Sequence, residues 1–449
     1  MALQEKLFHK PAPAAELLIQ GAHILDPRVG IDAPHDILIR KGRIAQLGDP
    51  GALDAEATAP AVQTVAGTGK HVFPAFVDPH VHLRTPGQEY KESLDTGTAA
   101  GAAGGFCQLI AMPNTAPVVD TVTVLRSLAA TAAQQARVPT GFLASITVGL
   151  GGSDLSPMAA LADTGALGFT DDGKPVSSAG VLRRALQYQR LAGRVIALHE
   201  EDPTLSGAGV MHEGAVSARL GIAGIPSISE STMVARDCAL ALYENARVHF
   251  QHLSCAESVD ALVFWRQRGA RVSAEVTPHH LTLIDDAACD LDTRFKMNPP
   301  LRTEVHRQAV IDGLRSGIID CVATDHAPHA AYEKEMSFEE APMGTTGLET
   351  SFPAIYTELV KPGILRLPLV IERMTAGGGL YGLPIPRIEV GAEANIVLVD
   401  LGSSFTVGAG GYASRSENCC FHGRVFSGVV EMTIAAGALV YERGSEANA

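Results

Sequence analysis

Between residues 72 and 323 the chain alternates short apolar runs with longer stretches whose apolar residues recur at helical spacing. The runs are Val72–Val77, Phe106–Ala111, Thr140–Val148, Leu167–Thr170, Arg194–Leu198, Val248–Gln251, Val272–Val276 and Ile318–Ala323. Most are continuous rather than alternating, the pattern of strands covered on both faces. Val122–Arg137, Ser178–Ala192, Ser229–Tyr243, Glu257–Arg268 and Thr303–Ser316 predict helices between them. Strand–helix units repeated in this way predict an α/β protein built on a parallel (β/α)8 barrel of TIM type. Parallel neighbours need crossovers, and right-handed crossovers close the sheet.

The flanks carry a different pattern. Glu16–Gln20, His23–Leu25, Ile37–Arg40 and Arg43–Leu47 are short and separated by glycines; Asn395–Asp400, Arg424–Ser427, Val429–Ala435 and Leu439–Glu442 repeat the pattern near the C-terminus. Neither flank is long enough to bury a core alone, so the two are expected to form one small β-sandwich domain. This divides the chain into 1–70, 71–384 and 385–449, with Pro50–Gly69, rich in Ala, Gly and Pro, as a connector.

Charge and composition narrow the function. With 35 Lys and Arg against 49 Asp and Glu, the net charge of −14 argues against a nucleic-acid binder. No apolar run approaches the roughly 20 residues that span a bilayer, and no apolar stretch follows a basic start. Seven scattered cysteines form no C-x-x-C, so neither a thiolate site nor a disulfide framework is expected, and a cytoplasmic location fits.

The chemistry lies where the runs end, the position of the active site in a parallel barrel. His80 and His82 follow the first run, two apart, and so present both imidazoles on one side of an extended segment. Asp171 and Asp172 follow the fourth run, His199 the fifth, His252 the sixth, His279 and His280 the seventh, Asp325 and His329 the eighth. Singly, each has an ordinary structural reading; Asp172 alone would cap a helix. Together, four imidazoles and two carboxylates without thiolates suit catalytic zinc with a position left for water.

The stretch Phe73–Asp120, with D-x-H-x-H at Asp78, His80 and His82, resembles the amidohydrolase superfamily. H-L-R-x-P-G followed by M-P-N-T at Met112–Thr115 makes it resemble class I dihydroorotase in particular. FTDDG at Phe169–Gly173, GIPSISES at Gly224–Ser231, TPHHL at Thr277–Leu281, KMNPPLR at Lys296–Arg302, ATDHAPH at Ala323–His329 and GLETSFP at Gly347–Pro353 extend the likeness over nearly the whole chain. It implies that His80, His82 and Asp325 hold one zinc, that His199 and His252 hold a second or shape its place, and that Asp172 stands where relatives carry a bridging carboxylated lysine. The nearest lysine, Lys174, lies two residues further into the loop.

The resemblance also implies substrate contacts at Arg84, Asn114, Asn298 and His329, with Met343 and Gly344 beside the ring. A salt bridge for Arg84, proline-flanked turns for the asparagines and a ligand-orienting role for His329 are the structural alternatives. His279 and His280 read as packing or supporting residues. Thr85 replaces the glutamate usual after this arginine. The implied activity is reversible cyclisation of N-carbamoyl-L-aspartate to L-dihydroorotate in pyrimidine synthesis, by water activated on one or two zinc ions with Asp325 as proton shuttle. An allantoinase or hydantoinase activity, or an inactive scaffold for aspartate transcarbamoylase, are the competing readings. A homodimer and a transcarbamoylase partner are compatible with the sequence. Ala330–Thr346 reads as either a cover over the site or a rigid helical loop.

Overall fold

The computed structural model describes residues 6–58 and 62–445. Eight short parallel strands carry the middle of the chain. Phe76–Val81, Phe106–Ala111 and Thr140–Phe142 form one sheet; Gly168–Phe169, Val195–Leu198, Arg247–Phe250, Arg271–Val276 and Cys321–Val322 form another. Single parallel bridges, Ala144 to Phe169 and Val81 to His326, link the two sheets at both margins. The predicted helices appear as Val122–Gln135, Ala179–Ala192, Ile228–Glu244, Ala256–Arg266 and Glu304–Ser316. Ser178 caps the second by accepting from the Val181 N–H, and left-handed Gly193 ends it.

Three expectations are corrected. Val72–Val77 is not one strand. His71–Pro74 pairs antiparallel with Ile396–Val399 and parallel with His23–Ile24, whereas Phe76–Val81 starts the parallel set. The parallel strands therefore begin at Phe76 rather than at Val72, and His80 sits inside the first strand rather than after it. Thr140–Val148 is extended only over Thr140–Phe142; beyond it the N–H groups of Ile146 and Thr147 turn to the Asp171 carboxylate, at 2.8 and 3.0 Å. Pro50–Gly69 is more than a connector, since Gln63–Ala66 pairs parallel with Leu17–Gln20. A helix the pattern did not predict, Leu94–Ala103, is almost wholly buried. Its Ala and Gly residues carry no polar face, and Ser93 and Thr96 close its capping box.

The flanking strands join into one sheet. Its main path runs Ala438–Glu442, Val425–Ala435, Ile396–Thr406, His71–Pro74, Leu17–Asp26, Ile31–Arg40, Arg43–Gly48. The two ends of that path approach each other: Ala15 N–H donates to Gly437 O (2.8 Å), and Gly42 N–H to Ala15 O (3.1 Å). A Cβ on Gly42 would lie 2.7 Å from the Gly437 carbonyl oxygen, so this contact needs glycine. Ile19, Ile24, Ile37, Ile396, Leu398, Met432 and Ile434 share the buried cluster on one face. Phe352 joins sheet and parallel strands. Its ring stacks on Phe76 (5.3 Å between centroids) and tilts against Phe73 (5.7 Å). At the opposite margin Phe8 bridges to Thr140 and its ring stacks on Phe142. No helix among the described residues is long and apolar enough to cross a membrane.

Candidate active site

The strand ends converge on a cavity of about 270 Å³ lined by His82, Arg84, Asn114, Asp172, His199, His252, Asn298, Asp325, His329, Met343 and Gly344, with Gly173 and Ala327. Every expected site residue lines it except His80, which is completely buried beneath it. Three of these residues, Arg84 (φ 57°), His252 (φ 34°) and Asp325 (φ 47°), hold backbone in the left-handed region that side chains with a Cβ avoid. Such conformations persist where the surroundings over-determine them, and they gather at functional sites.

Four aspartates anchor or line the site, and they divide into two pairs. Asp78 accepts from the N–H groups of His80 and Thr324, both at 3.1 Å, and from the Thr324 hydroxyl. It thereby ties the first strand to the last, and burial pushes its carboxyl up to about 7. Asp171 holds residues 146 and 147. Asp172 and Asp325 instead face the imidazoles. His80 Nε2 lies 3.4 Å from Asp172 Oδ1 and 3.5 Å from Asp325 Oδ1; His82 Nε2 lies 3.0 Å from Asp325 Oδ1 and 3.5 Å from Asp172 Oδ2. On the far side, His252 Nε2 and His199 Nδ1 lie 3.6 and 3.7 Å from Asp172 Oδ1, and 2.9 Å from each other.

This arrangement fits a divalent cation. His80 Nδ1 is 2.7 Å from Glu275 Oε1, so Nδ1 carries a hydrogen and Nε2 is the nitrogen that faces the two carboxylates. That buried nitrogen has no hydrogen-bond partner among the described residues and is aimed between two carboxylates. Against burial, the carboxylates of Asp172, Glu275 and Asp325 hold His80 well above the ordinary imidazole range, so the place between them calls for a positive charge, which a metal ion supplies in exchange for a proton. The electrostatics agree: burial resists ionisation of Asp172 and Asp325, yet the imidazoles, His80 foremost, hold both below the ordinary carboxylate range. Ligand atoms of His80, His82 and Asp325, and of His80, Asp172 and His252, lie within 4.8 Å of one another in each triad. The donors are nitrogen and oxygen only. Lys174 is exposed, and no lysine is among the lining residues.

Around the cage the remaining residues are held by neighbours distant in sequence. Arg84 Nε donates to Pro328 O at 3.2 Å. Asn114 spans two cage residues, its Oδ1 2.9 Å from His82 Nδ1 and its Nδ2 3.2 Å from Asp172 Oδ2. Asn298 donates to Glu201 Oε2 at 2.5 Å. Against burial, Asp172 and Glu201 raise His199 to about 9. His329 donates from Nε2 to Met343 O (2.9 Å) and faces Lys91 Nζ (3.4 Å), which pairs with Glu333 (2.9 Å). Burial and the charges of Arg84, Lys334 and Lys91 push this imidazole far down, to about 2. Gly344 has φ 142°, and a Cβ there would meet Ala327 O at 2.8 Å. His280 is a packing residue, fixed by Thr277 Oγ1 and Pro299 O.

Two buried lysine contacts tie the loop after the last strand to its neighbours. Lys334 Nζ donates to Pro342 O (2.8 Å), Thr293 O (3.0 Å) and Lys296 O (3.3 Å), and Lys296 Nζ donates to Glu339 O. Sequence reasoning missed Lys91, Glu201, Glu275 and Glu333. Only Glu275 left a cue, a charge inside an otherwise apolar run.

A family model described as Dihydro-orotase-like matches residues 69–258. The dihydroorotase of Desulforapulum autotrophicum is 42% identical over 427 residues, covering 94% of this chain and 98% of that protein. That of Bacillus caldolyticus is 43% identical over 377 residues, 84% of this chain and 88% of its own length. Among solved structures, the L-hydantoinase of Arthrobacter aurescens matches with a TM-score of 0.84 at 24% identity, covering 96% of this chain and 97% of the other. The dihydropyrimidinase of Brevibacillus agri matches at 0.79 and 21%, covering 95% of each. Those two share the fold. The likeness to the first two covers chain and relative alike, and on that ground the chain belongs to the dihydroorotase family.

Proposed function

We propose that the chain interconverts N-carbamoyl-L-aspartate and L-dihydroorotate plus water, on a closed (β/α)8 barrel whose cage holds one or two zinc ions. The observation that carries this reading is the buried, unpartnered His80 Nε2 aimed between Asp172 and Asp325, beside a cavity that Arg84 lines. His80, His82 and Asp325 would hold the first ion, with Asp172 between it and a second at His199 and His252. Nitrogen and oxygen donors without thiolate suit zinc in a hydrolytic role. A zinc ion so held supplies Lewis acidity, which makes water acidic near neutral pH and draws electron density from a carbonyl oxygen.

The chain's own residues do the rest. Arg84 takes the substrate carboxylate in its planar fork, and Asn114 and His329 line the cavity beside it. This fixes the ring amide next to the cage and lowers the entropy lost at the transition state. In hydrolysis the oxygen of water bonds to the ring carbonyl carbon and the carbon–nitrogen bond breaks. Asp325, with Oδ1 turned to the imidazoles, takes the proton of that water on Oδ2 and returns it to the leaving nitrogen. Ring closure runs the same transfers backwards.

The two bridges linking the parallel sheets support closure of the barrel. The contacts of Ala15 and Gly42 with Gly437 support a sheet folded on itself as a sandwich. We place the domain border at Ala75, with the sandwich drawn from both flanks. The seven free thiols support a cytoplasmic setting. The absence of lysine from the cavity lining and the presence of Arg84 disfavour a hydantoinase or allantoinase activity. The presence of all six ligand residues, His80, His82, Asp172, His199, His252 and Asp325, disfavours an inactive scaffold. Initial rates on L-dihydroorotate, hydantoin, dihydrouracil and allantoin test the assignment. Turnover of the uncharged rings with none of L-dihydroorotate would overturn it.

A further inference from the structure

Glu275 is fully buried near the C-terminal end of the strand Arg271–Val276, and among the described residues no lysine or arginine pairs with it. A buried carboxylate costs several kcal/mol unless its lone pairs are used. Here both oxygens are used. Oε1 accepts from His80 Nδ1 (2.7 Å) and the His252 N–H (3.3 Å); Oε2 accepts from His249 Nε2 (2.9 Å). A carboxylate oxygen only accepts, so both facing nitrogens carry hydrogens. His249 Nδ1 is then an acceptor and takes the Ser273 hydroxyl at 2.9 Å. The chain Ser273–His249–Glu275–His80 keeps a hydrogen on His80 Nδ1, so Nε2 is the nitrogen left to a cation in the cage.

A second group competes for His80. Gln251 Nε2 lies 3.2 Å from the same Nδ1, and its amide orientation is set by Thr170 Oγ1 donating to Oε1 at 2.8 Å. Acting alone, Gln251 would favour a bare Nδ1 and move the hydrogen to Nε2, where it would point into the cage. The shorter, charge-assisted bond from Glu275 decides against that tautomer, since such bonds are about twice as strong as neutral ones.

We propose that Glu275, itself held by His249 and Ser273, is a positioning residue that locks His80 with its Nε2 lone pair turned to the cation. The proposal rests on the reading of the cage as a cation site. Its test is the zinc affinity of metal-stripped protein, measured by competition with a chromogenic chelator. Glu275→Gln keeps the shape, removes the charge and presents an amide hydrogen to one imidazole. It is expected to weaken zinc about 10- to 100-fold. Ser273→Ala, at the far end of the chain, is expected to weaken it in the same direction by less. Parental affinity in both variants overturns the proposal. Should Glu275→Gln fail to fold, Ser273→Ala decides alone: weaker binding supports the chain and unchanged binding refutes it. A parent that binds no zinc would instead sink the cage reading, and the proposal with it.

Discussion

Replacing Asp325 by asparagine separates the proton transfer from everything else the residue does. Asparagine keeps the size and tolerates the left-handed backbone at φ 47°. Alanine would add roughly 1–2 kcal/mol of backbone strain and blur the result. The amide retains an oxygen for His82 but cannot carry a proton from water to the ring nitrogen. Loss of a general acid–base group costs about 10²- to 10⁴-fold, which at 1.36 kcal/mol per decade is about 3–5 kcal/mol of transition-state stabilisation. The variant also loses one anion facing His80 and His82 at 3.5 and 3.0 Å, so zinc occupancy must be held fixed. The assay is kcat in both directions at saturating zinc, with bound metal measured on the same samples. KM for L-dihydroorotate is expected to stay within about threefold of the parent, because Arg84, Asn114 and His329 are untouched. A variant with parental metal content and a kcat within tenfold of the parent refutes the shuttle.

Three further outcomes are expected. Arg84→Met should lower kcat/KM for L-dihydroorotate by about 10²-fold, mostly through KM, since a charged hydrogen bond contributes about 1.5–3 kcal/mol; an unchanged KM would show that the carboxylate binds elsewhere. Chelation should lower Tm and abolish turnover, with both restored by zinc, because the buried Asp172, Asp325 and imidazoles then lose the ion that neutralises them; a Tm indifferent to chelator would argue that no ion is held. Burial, with the Arg302 charge beside it, pushes His212 down to about 4 from an ordinary value near 6.5. The unfolded chain therefore binds this proton first. The stability that His212 contributes is intact above about 6.5 and is lost as pH falls toward 4, on the order of 2–3 kcal/mol. In His212→Gln the decline of Tm over that window should be shallower; equal slopes in parent and variant would contradict it.

The metal-type residues were legible because each followed a short apolar run, and a polar side chain at a strand end has few purposes. His80 and His82 could be placed on one side from their spacing alone. The switch of sheets at Ala75 was hidden, because Val72 to Val77 is unbroken apolar sequence and pattern cannot tell two buried strands from one. Leu94–Ala103 was hidden for the opposite reason: a helix buried all round has no polar face to reveal its period. Asn114 was legible as a site residue, but its link between His82 and Asp172 depends on neighbours 32 and 58 positions away. Lys91 and Glu333 meet only because the last loop returns over the first.

The pairing of His71–Pro74 with Ile396–Val399 has a consequence for synthesis. A strand that leaves the ribosome early waits for a partner more than three hundred residues downstream. At about 5–20 residues per second that delay is on the order of 15–65 s. Throughout it, the edge carrying Val72 and Phe73 is bare, in a nascent chain whose parallel strands are still emerging. That edge is where a ribosome-associated chaperone would earn its keep, and where aggregation would begin if translation outran its supply.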